Sequence, residues 1–305
     1  MLYGISAGVF WALATVLLGL AMEKSVFTGS ERAIFLAPFV CTFLHDLCSS
    51  LWAGLNNLVR GELPGFFRSL KTRSARFVML AGVIGGPVGM TGYVLAIHYM
   101  GPSVGAVASA IFPAIGAVLA FIFLKEKMQW YRWVLLIITL GGVYGLSYSP
   151  DVSVTNFGLG LLGVFMCSFG WGIEAVILAK ALKGGEGIKD NYALQIRQST
   201  SAIVYGVILL PVLRAWGFTA SLFTRDNGAI LALIACAGLC ATISYLFYYK
   251  AIAKVGASKA MALDVTYAAW AIVFTVIVNR DLSILTPMTV ICTVIVIVCG
   301  ILAAK

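Results

Sequence analysis

Apolar residues run along this chain in long continuous stretches, each about 20 residues, the length that carries an α-helix across ~30 Å of hydrocarbon. Ten stretches can be marked, near 2–21, 33–58, 75–99, 102–124, 130–149, 158–182, 190–214, 227–252, 256–279 and 286–304. The strands of a membrane barrel alternate over about ten residues, so this pattern predicts helices instead. The expected fold is an all-α integral membrane protein of ten transmembrane helices. The first stretch begins at Leu2 with no basic segment and no small-residue cleavage site before the next, so it is expected to be a retained helix.

Composition narrows this further. Of 305 residues, 61% are hydrophobic and 11% charged, with a mean hydropathy of +0.99, whereas soluble domains carry about 25% charged residues. The longest intervals without a strongly apolar span, near 59–74, 183–191 and 216–226, leave no room for a soluble domain. The seven cysteines (41, 48, 167, 236, 240, 292 and 299) all fall within spans, which predicts small buried apolar residues and no disulfide or metal site.

A net charge of +9 raises nucleic acid as a partner, but its placement favours a different account. Assigning successive loops to alternate sides puts fifteen Lys and Arg on one side and five (Lys24, Arg32, Arg214, Arg225, Arg280) on the other. The positive-inside rule makes the first side cytoplasmic and predicts both termini there. The implied localisation is multi-pass, in a bacterial cytoplasmic membrane, with the lipid bilayer and no nucleic acid as partner.

The two halves repeat each other. At an offset of 155, Ala96–Ser103 falls on Ala251–Ser258, and the register holds until Lys125-Glu126 meets Arg280-Asp281. At an offset of 160, Trp11 falls on Trp171. Five helices repeated once, 1–149 and 150–305, must lie in opposite orientations, the inverted-repeat plan of secondary transporters with substrate near the midplane. Within the spans, Gly85, Gly86, Pro87 and Gly89 cluster in the third and Pro113 lies in the fourth, so broken or kinked helices are expected there.

Ionisable residues at membrane depth are costly, by ~2.5 to 3.5 kcal/mol on insertion scales, and are functional candidates with partners to be found. Here they are His45, Asp46, Glu174, Arg197 and Asp264. Glu174 lies before the end of its span and Arg197 after the start of the next, both ~10 to 12 Å from the same surface, so they can meet. Such a pair either fixes packing alone or holds a carboxylate whose proton or counter-ion changes during transport. Asp46 and Asp264 stand open between proton carrier, ligand contact and packing partner. His45 and Asp46, being adjacent, are expected on different helix faces.

Trp171 precedes Glu174 by three residues on one face, and its repeat mate Trp11 sits at the matching place in the first span. Phe112 falls on Tyr267 and Ser109 on Asp264. Aromatic pairs beside carboxylates suit a cation that cannot hydrogen-bond, since desolvated ring faces contribute roughly 2 kcal/mol or more. Tyr93 is a weaker candidate for the same pocket. Tyr245, Tyr248 and Tyr249 are weaker too, following one another too closely to share a face. No metal-ligand spacing, Ser-His-Asp set at one depth or phosphate-binding glycine loop stands out, so neither an enzyme nor a bound cofactor is implied.

Gly170-Trp171-Gly172, the Gly101 and Gly256 turns, and Glu126 and Asp281 closing the helices that follow them resemble the ten-helix drug/metabolite transporter superfamily, with its EamA-type fold. More narrowly, Gly8-Val9-Phe10-Trp11, His45-Asp46, Gly86–Met90, Ser109–Ala114, Trp171–Ala175 and Ile196-Arg197-Gln198 resemble the LicB-type choline permeases. That resemblance implies import of choline through an aromatic pocket containing Trp11 and Trp171, with Glu174 an acidic contact, driven by membrane potential, a proton gradient or both. Phe112 departs from the Tyr expected in that group. The alternative is an EamA-type exporter of amino acids or cationic drugs, which shares the fold.

Overall fold

The computed structural model describes residues 1–148, 154–183 and 188–305, apart from the side chains of 102–104, 106 and 107. The expected division between residues 149 and 150 lies outside the described residues. Continuous apolar sequence becomes helix throughout: α1 (Leu2–Met22), α2 (Glu31–Val59), α3 (Arg73–Met100), α4 (Pro102–Leu124) and α5 (Trp130–Ser147). After these come α6 (Phe157–Lys183), α7 (190–212), α8 (Gly228–Val255), α9 (Ala257–Asn279) and α10 (Pro287–Ala303). Side-chain oxygens mark several starts: Ser30, Thr72 and Thr286 accept from the amides of Ala33, Ala75 and Thr289 and satisfy first-turn donors.

Six helices, α1, α2, α3, α6, α8 and α9, are long and apolar enough to cross a membrane, and Ala108–Leu124 of α4 and all of α10 are shorter apolar helices. Helix α5 opens on Trp130-Tyr131-Arg132-Trp133, and α7 carries Asn191, Gln195, Arg197 and Gln198, which lowers their apolarity. Around the outside, Leu51, Val59, Phe123, Val207, Val212 and Ile277 are exposed, the surface a lipid phase requires.

Small residues bring the helices together. The buried positions of α1 are Gly4, Ala7, Gly8, Ala12, Ala14 and Ala21, all small, and this helix lies along α8. Gly92 on α3 meets Gly163 on α6 backbone to backbone, and Gly116 on α4 meets Gly172 on α6. Membrane helices, lacking a water-driven force between them, pack by this kind of close approach.

Three helices are not regular. Helix α3 widens into a π-turn at Ile84–Val88, where Pro87 lacks an amide donor, so the Gly85–Gly89 cluster does interrupt its span. Helix α7 has a second π-turn at Tyr205–Leu209, just before Pro211, at a place the sequence did not flag. Helix α9 breaks at residues 265–266, between Asp264 and Tyr267, without a glycine or proline to announce it.

Pro113 does not break its helix: α4 runs helical from Pro102 to Leu124. One missing amide frees a single carbonyl, and the close approach of Gly116 to Gly172 one turn on holds the helix in place. The cysteines also differ from expectation. All seven are free, but only Cys41, Cys167 and Cys292 are buried; Cys48, Cys240 and Cys299 are half-buried and Cys236 faces outward. A thiol on a lipid-facing helix costs no desolvation, so membrane depth did not imply burial within the protein.

The halves share backbone detail at matched positions. Gly101 and Gly256, 155 residues apart, turn into α4 and α9 with φ, ψ of 87°, 164° and 95°, 165°. Lys125 and Arg280, at the same offset, end those helices in the left-handed region with φ of 56° and 53°.

Candidate functional site

A cavity of about 500 Å³ lies in the middle of the bundle. Its walls run along α1 from Trp11 to Met22, along α2 from Pro38 to Asp46, and along α9 from Asp264 to Ile272. It therefore extends from mid-bundle to the end where α1 finishes, and residues 1–10 take no part in it. That end lies opposite the lysine- and arginine-rich loops.

Four of the ionisable candidates, His45, Asp46, Glu174 and Arg197, form one buried network. Arg197 Nε donates to Glu174 Oε1 at 2.7 Å, Arg197 Nη1 lies 3.5 Å from Asp46 Oδ2, and the same nitrogen donates to Gln198 Oε1 at 2.7 Å. Ser201 donates to Asp46 at 2.6 Å, and Gln198 donates to Ser49 at 3.0 Å. Glu174, Arg197 and Asp46 are 6%, 3% and 3% exposed, so each charge depends on these partners in place of water. His45 Nδ1 sits 3.0 Å from Asp46 Oδ1, so the two residues expected on different faces are bonded to each other. The aspartate side chain is short enough to reach back along its own helix, which outweighs the 100° between neighbouring positions.

The π-turn gives this network its space. A Cβ at Gly85 would overlap the Glu174 carboxylate, one at Gly86 would overlap Ser201 Oγ, and one at Gly89 would press on the Trp171 ring at 2.8 Å. The Gly85 carbonyl accepts from Trp171 Nε1 at 2.8 Å, which anchors the indole. Gly85 and Gly86 lie on the cavity wall; Pro87 is buried within the turn, and Gly89 and Pro113 stand behind the wall.

Two aromatic groups face the space. Trp171 packs edge-on against Phe112, with ring centroids 5.9 Å apart, and lies 6.0 Å from Tyr93. Trp11 packs edge-on against Tyr245 at 5.3 Å and His45 at 6.3 Å. The Arg197 guanidinium lies 5.0 Å over the Tyr245 ring, joining the second group to the charged network. Ser109 and Tyr267, from α4 and α9, share a hydroxyl contact of 3.2 Å.

Tyr245 and Tyr248 both line the cavity and Tyr249 does not, so the three tyrosines do not share one face. Residues three apart on a helix do share one; only Tyr249 turns away, fully buried. Asp264 also lines the cavity, at the break in α9. Among the described residues, nothing bonds its carboxylate.

The opposite end is closed by polar seams. Glu126, just past the end of α4, accepts from the amides of Ala257 and Ser258 at 3.0 and 3.1 Å and from the Ser258 hydroxyl at 2.9 Å, with Lys183 Nζ at 3.7 Å. Asn191 bridges Asn57 and Glu62 there. The Asn191 bond and the Lys189 ammonium hold the Glu62 carboxyl below the usual range.

Helices with an apolar outer surface, six of them long and apolar enough to cross a membrane, thus surround a chamber lined by acidic and aromatic residues. A model of the EamA-like transporter family matches residues 1–148, and over that stretch the chain is similar to that family. It is 29% identical to protein LicB of Haemophilus influenzae over 274 residues, 89% of this chain and 86% of that protein. It is 25% identical to the uncharacterized transporter YyaM of Bacillus subtilis over 252 residues, 77% of each. A solved crystal structure superposes with a TM-score of 0.75, covering 100% of this chain and 95% of the other; at 14% identity the likeness is one of fold alone.

Proposed function

We propose that this protein imports choline, or a close quaternary ammonium compound, by alternating access across a bacterial cytoplasmic membrane. In this reading its helices form ten spans in two inverted repeats, 1–149 and 150–305, with both termini in the cytoplasm. The observation that carries the substrate is the cavity wall itself: Trp11, Tyr245, Trp171 and Tyr93 present aromatic rings, while three carboxylates stand against one guanidinium. A methylated ammonium offers no hydrogen to donate, so ring faces and unbalanced negative charge are what can hold it. The Ser109–Tyr267 hydroxyl pair supplies partners for an alcohol at the other end of the molecule. The LicB-type resemblance and the homology to LicB support the same choice.

The energetics follow from the permanent charge. An interior-negative potential contributes ~2.3 kcal/mol per charge per 100 mV, enough for a uniporter to accumulate the cation unaided. A proton carried inward with it steepens accumulation, and Asp264, Asp46 and Glu174 are the groups to hold one.

The test is uptake of labelled choline into liposomes containing the full chain, with a potassium diffusion potential and a pH gradient imposed separately. Saturable uptake blocked by unlabelled choline and untouched by zwitterionic amino acids supports the reading, and Trp11→Ala is expected to abolish nearly all of it. Competition by amino acids, or no uptake by folded and inserted protein, favours an EamA-type exporter of amino acids or cationic drugs instead.

A further inference from the structure

The Glu126 seam joins the two halves of the chain. Glu126 ends the fourth helix of the first half, and the amides it binds open the ninth helix, 131 and 132 residues further on. Its closeness is shown at Gly256, where a Cβ would meet the carboxylate at 2.7 Å. The position matched to Glu126 at an offset of 155 is Asp281, and the segment matched to Gly256-Ala257-Ser258 is Gly101-Pro102-Ser103. The backbone dihedrals at both pairs of ends agree, so the second half carries the parts for the same joint at the other end of the bundle.

That second joint is not made here. Asp281 is exposed and bonds its own loop, Oδ1 accepting from the Ser283 amide at 2.8 Å. Among the described residues, a Cβ at Gly101 would meet nothing within 4 Å. The end with the joint formed is the end the cavity does not reach; the end with the joint unmade is the one the cavity runs to. Ser283 holds the Asp281 carboxyl below the usual range, so it is an anion ready to accept.

We propose that Glu126 and Asp281 are alternate clasps of the transport cycle: Glu126 on residues 256–258 closes the cytoplasmic end, and Asp281 on residues 101–103 closes the outer end once the cavity turns inward. This rests on the alternating-access reading given above, and follows from it because inverted repeats change state by exchanging their conformations. The two clasps are unequal. Pro102 has no amide hydrogen where Ala257 has one, and aspartate is a methylene shorter than glutamate, so the outer clasp is the weaker and the outward-facing form is the resting one.

Hydrogen–deuterium exchange of the full chain in lipid nanodiscs tests this without any substrate, so failure of the choline assignment leaves the result readable. Glu126→Ala is expected to raise exchange across 256–263 and, at the far end, to lower it across 101–107 and 280–284. A rise confined to 256–263 would make Glu126 a local helix cap and overturn the proposal. Asp281→Asn, at an exposed position that tolerates the change, keeps the test open if Glu126→Ala does not fold. It is expected to leave choline affinity within about two-fold and slow maximal uptake about ten-fold, the effect of losing a charged hydrogen bond in one state only. Uptake at the wild-type rate would equally overturn it.

Discussion

Glu174 and Asp264 are both carboxylates at membrane depth on the wall of one cavity, yet their surroundings are opposite. Glu174 is held at 2.7 Å by Arg197, which also serves Asp46, in a network that draws in Gln198, Ser201 and Ser49. Asp264 stands at a helix break with its carboxylate on open space. A buried charge with partners is part of the scaffold, and removing a partner strands the rest. A half-buried carboxylate without partners, as at Asp264, contributes little to the fold and is open to a cation or a proton. Under the proposed function, Asp264 more than Glu174 is therefore the candidate for the ligand's counter-charge.

Substitutions can sharpen that contrast. The largest expected effect is that of Arg197→Ala, which leaves Glu174 and Asp46 buried together without a cation; a loss of about 3 to 5 kcal/mol in stability, read by thermal unfolding in nanodiscs, is expected. Stability equal to wild type would mean that the network does not hold the helices. Next comes Asp264→Asn, expected to weaken choline about ten-fold or more, some 1.4 kcal/mol per decade. It should leave the neutral isostere 3,3-dimethylbutan-1-ol unaffected and thermal stability the same or higher. Equal losses for both ligands would move the counter-charge elsewhere. Glu174→Gln is the mildest: the amide oxygen still accepts from Arg197, and Asp46 remains, so a loss of about 1 to 2 kcal/mol in stability is expected, with a smaller change in choline affinity than at Asp264.

Much of this arrangement was legible beforehand because its causes are local. Continuous apolar sequence has only one way to satisfy its backbone in lipid, so the helices followed. The meeting of Glu174 and Arg197 came from counting residues inward from a shared surface, a quantity that helix rise fixes. What escaped depends on side-chain reach and on neighbours. Asp46 bonds back to His45, and α9 breaks at 265–266 without a breaking residue. Pro113, a strong local signal, leaves α4 helical because α6 packs closely against it. The second π-turn, at Tyr205–Leu209, lies ahead of Pro211, whose ring crowds the carbonyl four residues earlier, so proline read together with the turn preceding it was the usable clue.

The first π-turn also sets a phase. An extra residue in one turn rotates everything beyond it by about 100° relative to an unbroken α-helix. In α3 that offset lies between Ala75, Val78 and Ala81, which are packed against the protein, and Met90 and Tyr93, which look into the cavity. The helix thus presents two differently aimed faces from a single rod, and the angle between them is recorded as one residue of chain length. A single deletion between Ile84 and Val88 would keep the helix and its hydrophobicity while turning Met90 and Tyr93 away from the space they now line.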